Sequence, residues 1–225
     1  GSGAVSNAFA QIGPVYASDA QSFCRMLAKM QGSGYGESEA VSLTGSIYQH
    51  YRWHMEKMRE NFLEYLEEEE RIFYLDLKER ETVLKQYSDF IESFELYSSD
   101  CVNSQKVGCL IKERKQNHSL IPYCLFTYYF SNVYFGVAQS IQIDSIRYAI
   151  DQIADKEIRE WALGALVAAV SSIGTTHSAQ FAQPKHLDEK SLKDILKRRE
   201  KSVWHEFSKR LITIAKDSER YRYPV

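Results

Sequence analysis

Apolar residues recur every three or four positions between residues 43 and 66 and form one stripe. Its members are Leu43, Ile47, Tyr51, Met55, Met58, Phe62 and Leu66. That spacing predicts a long helix with one buried face. Only 11 Gly and 4 Pro occur in 225 residues, so few positions favour a break between helices. The sequence therefore predicts a mainly α protein.

A second stripe follows the first and predicts a partner helix. Leu84, Tyr87, Ile91 and Phe94 share one helical face, which places a bend or break between Phe73 and Leu77. Residues 56–81 carry ten acids against five bases, so their outer face should repel DNA phosphates. We interpret residues 37–100 as an acidic helical hairpin. It is either an arm that contacts a partner or another subunit, or a hairpin with a solvated acidic face.

Composition excludes several classes of protein. The formal net charge is -2, from 28 basic and 30 acidic residues, so any nucleic-acid face must be local. The four cysteines contain no C-x-x-C pair, which argues against a zinc site or a disulfide framework. No apolar run approaches the roughly 20 residues that span a bilayer. We expect a reduced, cytoplasmic protein without metal or membrane.

The first thirty residues suggest half of a Rossmann-like unit. Gly1-Ser2-Gly3 precedes a helical pattern, a short strand-like run from Val15 to Ser18, an acid at Asp19 and a further helical pattern. A glycine loop lets the backbone approach a cofactor, and an acid after the second strand can accept hydrogen bonds from ribose. Two other interpretations stay open. The glycines can be a cloning scar, and Asp19 can simply cap the helix after it.

A basic stretch follows the hairpin. Residues 105–118 hold four bases against one acid, and Lys112, Arg114 and Lys115 lie close together. This pattern fits a loop that contacts DNA phosphates, and it fits a solvated surface loop equally well.

Residues 122–136 contain seven aromatic residues in fifteen positions. Such rings can stack on unpaired bases, although they more often belong to a core. A nearly all-apolar helix over 158–173 then leads into a polar loop, which can hydrogen-bond to bases or phosphates. Its candidate DNA contacts are Thr175, Thr176, His177, Gln180 and Lys185. For His177 a surface or capping role is favoured over that of a general base.

The tail is more basic than the rest of the chain. Residues 184–225 carry twelve Lys or Arg and seven Asp or Glu. Helices are predicted over 191–200 and 203–216. The cluster Lys197, Arg198, Arg199 and Lys201 can follow a phosphate backbone or simply face solvent.

Five short stretches resemble the Dam-like adenine-specific DNA methyltransferases. Residues 1–6 resemble the second half of that family's Phe-x-Gly-x-Gly loop, and Tyr16–Asp19 resemble its second strand with its acid. Residues 127–136, 139–147 and the loop 175–182 are similar to its helical recognition insert. The resemblance covers residues 1–31 and about 122–185.

The resemblance implies a fold, a cofactor and a substrate. The fold would be mainly α, a fragment of a Rossmann-like α/β methyltransferase core that carries a large helical insertion. Residues 1–36 would bind S-adenosylmethionine, with Gly1 and Gly3 near its methionine end and Asp19 on its ribose. Residues 101–225 would recognise double-stranded DNA, whose adenine must leave the duplex to be methylated.

The family's acid-Pro-Pro-aromatic catalytic motif does not occur, because no two of the four prolines are adjacent. We therefore expect the cofactor-loop and DNA-recognition portion of a restriction-modification type enzyme. The catalytic motif would be supplied elsewhere, for example on a second polypeptide, and this chain alone would be inactive. The alternative is a non-catalytic helical DNA- or protein-binding module derived from such an enzyme.

Overall fold

The computed structural model describes residues 9, 11–13, 15, 22–32, 34–93, 123–176 and 183–219. Every regular element within these ranges is a helix, and only two isolated bridges occur. The helices are α1 (Ser22–Gln31), α2 (Glu37–Phe73), α3 (Arg80–Ser93), α4 (Leu125–Tyr129), α5 (Val137–Asp151), α6 (Lys156–Ile173), α7 (Leu192–Arg199) and α8 (Val203–Ser218).

The mainly α prediction is confirmed, and so are its main helices. The long stripe lies on α2, the predicted break falls between α2 and α3, and the apolar run beyond residue 158 is α6. The Rossmann-like core gains no support, because the described ranges contain no strand. The expected strand at 15–19 lies outside them, except for Val15. None of the helices in these ranges is long and apolar enough to cross a membrane.

The described chain forms two compact units, and both draw on segments that are distant in sequence. Unit 1 comprises residues 1–52, 146–170 and 203–225, and unit 2 comprises residues 53–145 and 171–202. The domain boundaries predicted at residues 36 and 100 instead divide the chain into consecutive segments. These boundaries stay predictions.

In unit 1, α1 packs against α8 and lies close to α6. A Cβ atom at Gly164 would lie 2.6 Å from the Met30 Cβ atom, so only glycine fits where α6 passes Met30. Aromatic pairs complete this core, since the ring centroids of Tyr51 and Trp204 lie 4.3 Å apart.

In unit 2, α3 packs back on the second half of α2. The core brings together Phe62 and Ile72 of α2, Tyr87 of α3 and Ile195 of α7. A buried carboxylate joins α5 to α4, because Asp144 accepts hydrogen bonds from the Phe126 and Thr127 N–H groups at 3.0 and 2.8 Å. The Thr127 hydroxyl donates to the same carboxylate at 2.7 Å. Unit 2 also contains the part of the polar loop that the structure describes.

Candidate nucleic-acid interface

The polar loop, residues 174–185, begins and ends at one place. Thr176 and Pro184 form an antiparallel bridge, and the Lys185 N–H donates to the Thr175 carbonyl at 2.9 Å. The chain therefore leaves the end of α6 and returns beside it. The residues between, 177–182, lie outside the described ranges.

The base of this loop is attached to the aromatic segment. The Thr175 N–H and hydroxyl both donate to the Tyr134 carbonyl, at 2.9 and 2.8 Å. Thr175 is completely buried, so its hydroxyl is used inside the protein. Two of the stretches that resemble the methyltransferase recognition insert, 41 residues apart at this contact, thus meet through three atoms.

Tyr134 lies in a tight turn, which we name the aromatic turn and define as residues 130–136. Asn132 has a φ of 61°, a left-handed conformation that Asn tolerates better than most residues. Its N–H donates to the Phe135 carbonyl at 2.7 Å, and the Tyr134 N–H donates to the Phe130 carbonyl at 3.2 Å. The turn therefore presents the Tyr134 carbonyl in a fixed direction.

The aromatic side chains of this region divide into two groups. Tyr128 and Phe135 are buried in unit 2, as expected for core residues. Phe126, Phe130 and Tyr134 are half-buried and contact one another, with ring centroids 5.2 Å apart for Phe126 and Phe130. Base stacking by any of these rings stays a prediction.

The turn leads into α5, whose first N–H groups are bound by a buried carboxylate. Glu69 of α2 is 1% exposed. Its Oε1 accepts the Val137 N–H at 2.7 Å, and its Oε2 accepts the Ala138 N–H at 2.9 Å. Helix N-termini leave such donors without intrahelical partners, and a carboxylate satisfies them with a favourable dipole interaction.

Burial raises the pKa of Glu69, and it outweighs the two backbone N–H groups and Arg199, which act in the opposite direction. The carboxylate also leaves no space beside it. A Cβ atom at Gly136 would lie 2.5 Å from Glu69 Oε1 and 3.4 Å from the Arg199 Cβ atom. Glycine is therefore required where the turn passes between these two side chains.

Arg199 binds the other end of the turn. It is 4% exposed, and its Nη2 donates to the Asn132 carbonyl at 3.1 Å and the Val133 carbonyl at 3.3 Å. Its Nη1 donates to the Tyr87 hydroxyl. Burial raises the pKa of Tyr87 to about 12. Glu69 and Arg199 together fix residues 132–138.

The burial of Glu69 and Arg199 differs from what the sequence indicated for their segments. Glu69 belongs to an acidic run that was expected to face solvent, and Arg199 belongs to a basic cluster that was expected on the surface. Both are buried because unpaired N–H and carbonyl groups of residues 132–138 face them. Their helical phase carried a signal: Glu69 follows Leu66 by three residues, and Arg199 follows Ile195 by four, each on an apolar stripe.

The structure describes three of the predicted DNA contacts. Thr175 and Thr176 lie at the base of the polar loop, and half-buried Lys185 lies beside them. DNA contact by these residues stays a prediction. The remaining predicted site residues lie outside the described ranges: Gly1, Gly3, Asp19, Lys112, Arg114, Lys115, His177 and Gln180.

The described residues contain no group of three His, Cys, Asp or Glu side chains that could hold a metal ion. Comparisons with models of protein families, with curated proteins and with solved structures find no match. The functional proposal therefore rests on the geometry of the polar loop and the aromatic turn.

We expect the raised pKa of Glu69 to appear as a pH dependence of stability. A group whose pKa is raised by folding stabilises the protein fully below its unfolded pKa, near its ordinary value of 4.5, and loses that contribution as the pH rises through the folded pKa. The wild-type protein should therefore lose free energy of unfolding, relative to Glu69→Gln, as the pH rises above about 4.5. Each unit of pKa shift corresponds to about 1.4 kcal/mol.

Urea unfolding of both proteins over a pH series measures this difference. The exposed neighbour Glu70 provides the matched control, and Glu70→Gln should show no such trend. A difference between wild type and Glu69→Gln that stays constant, or grows in favour of wild type as the pH rises, would contradict the assignment.

Proposed function

We propose that this chain is the cofactor-loop and DNA-recognition portion of an S-adenosylmethionine-dependent, adenine-specific DNA methyltransferase, with the catalytic motif supplied elsewhere. One observation carries the proposal. The aromatic turn and the polar loop resemble separate parts of that family's recognition insert, and the Thr175 hydrogen bonds to Tyr134 bring them together.

The geometry suits a loop that reads DNA. Its two limbs are joined at Thr176 and Pro184, so the loop starts and ends at a single place. Its residues include hydroxyl and amide groups, which recognise base edges and phosphates. Precise placement matters because the adenine amino group is paired inside the duplex and must be swung out before it can react.

The distribution of charged residues indicates which surface DNA would contact. Near the base of the loop, α7 carries Lys193, Lys197 and Arg198 against the single acid Asp194. The exposed acids of α2 have the opposite sign and should repel phosphates. DNA would then contact α7 and the base of the polar loop rather than the exposed acids of α2.

A second candidate is a non-catalytic helical DNA- or protein-binding module. It is favoured by one observation, the absence of any strand among the described residues, since a Rossmann-like core requires a sheet. The two candidates can share the DNA-binding loop. They differ in whether residues 1–36 bind S-adenosylmethionine.

We expect the triple variant Thr176→Ala, Gln180→Ala, Lys185→Ala to bind duplex DNA at least about tenfold more weakly than wild type. Each base or phosphate contact that is lost should cost roughly 1–3 kcal/mol, and 1.4 kcal/mol is a factor of ten. Gel shifts on a pool of random duplexes measure the loss. The matched control is Gln49→Ala, Lys57→Ala, Thr213→Ala, three exposed residues of α2 and α8. Equal binding by both triple variants would count against the proposal.

We expect S-adenosylmethionine to raise the melting temperature of the wild-type chain. A ligand that binds only the folded state adds about 2.7 kcal/mol at a hundred times its dissociation constant. Asp19→Ala should abolish the shift, whereas Asp89→Ala, on the exposed side of α3, should keep it. A shift that survives Asp19→Ala would place the cofactor elsewhere, and no shift in wild type would favour the non-catalytic module.

A further inference from the structure

One carboxylate beside the polar loop binds two cations. Asp194 of α7 accepts a hydrogen bond from Lys185 Nζ at 2.6 Å and from Arg198 Nε at 3.2 Å. The three side chains are 43%, 27% and 38% exposed, respectively. All three can therefore be reached from solvent, unlike the buried Glu69 and Arg199.

The two cations stand at the two ends of the polar loop. Lys185 lies on the returning limb, where its N–H donates to the Thr175 carbonyl. Arg198 lies beside the departing limb, where its Nη1 donates to the Gly174 carbonyl at 3.4 Å. A single anion placed between them would contact Lys185 on the returning limb and Arg198 of α7, which is itself bound to the departing limb.

The surroundings of this cluster are basic. Lys193 and Lys197 are the other exposed bases of α7, and the described residues offer neither of them an ion pair. Asp194 is the only acid in that helix. Lys185 above all, and Arg198 with it, lower the pKa of Asp194, so the carboxylate is ionised at neutral pH. It cancels much of the local positive charge at the base of the loop.

We propose that Lys185 and Arg198 form a contact site for a DNA backbone phosphate, and that Asp194 holds the two cations in place and competes with the phosphate for them. The inference rests on the proposed DNA-binding function, and it names the group of DNA that binds there. Carboxylate and phosphate oxygens accept the same hydrogen bonds from Lys and Arg. A phosphate that arrives must therefore displace Asp194 or share its donors.

The test compares two variants that change the net charge by the same amount. Asp194→Asn removes the competing anion and keeps the side-chain shape. Glu200→Gln removes an exposed acid that has no ion pair among the described residues. Binding of a random-sequence duplex is measured over a series of salt concentrations, after thermal melts have shown that both variants are folded.

We expect Asp194→Asn to bind DNA several-fold more tightly than both wild type and Glu200→Gln. The slope of log affinity against log salt should also become steeper by about one, which is the increment expected for one additional phosphate contact. Lys185→Gln in the Asp194→Asn background should remove both gains, because the phosphate then loses one of its two cationic donors.

Two results would overturn the inference and leave the proposed function standing. One is equal binding by Asp194→Asn and Glu200→Gln, which would reduce the effect to net charge. The other is weaker binding by Asp194→Asn, which would make Asp194 only a support for the loop.

If Asp194→Asn is unstable, Lys185→Gln in the wild-type background decides. The phosphate site requires that this variant shows a shallower slope of log affinity against log salt than wild type. If no protein of the set binds DNA, the proposed function falls together with this site.

Discussion

The structure of unit 2 depends on two ionisable side chains, Glu69 and Arg199, that are buried on either side of one turn. Glu69 accepts the first N–H groups of α5, and Arg199 donates to the carbonyl groups of Asn132 and Val133. A buried polar group without a partner costs about 1–3 kcal/mol, so the turn and these two side chains are stable only together. Gly136 is the residue that lets them approach, since any Cβ atom there would meet Glu69 Oε1.

The base of the polar loop is supported by that turn. Because residues 132–138 are held at both ends, the Tyr134 carbonyl is a fixed acceptor for Thr175, and the polar loop stands on a rigid base. Recognition loops need such support, since a small displacement of the contacting groups removes most of their hydrogen bonds. Arg199 also belongs to α7, the helix that exposes Lys193 and Lys197 and carries Arg198. The basic face and the base of the loop therefore share one structural support.

Much of the helical structure could be predicted from the sequence, and the site only in part. Local spacing of apolar residues predicts the stripes of α2 and α3, the break between them and the helices of the tail. Each of these signals lies within a short segment of the sequence. The contact of Thr175 with Tyr134 spans 41 residues and leaves no periodic signal. The sequence interpretation placed the cluster that contains Arg199 on the surface, and it did not single out Glu69 within its acidic run. Their burial depends on backbone groups of a distant turn, although their position on apolar stripes was a usable signal.

Hydrogen–deuterium exchange with and without duplex DNA can show whether DNA binds at the polar loop and α7, because it reports which backbone segments the nucleic acid covers. At saturating DNA we expect slower exchange in the polar loop, residues 174–185, and in α7, and unchanged exchange along the acidic segment of α2. Slower exchange confined to that acidic segment, or no change in residues 174–185 while DNA is bound, would contradict the account.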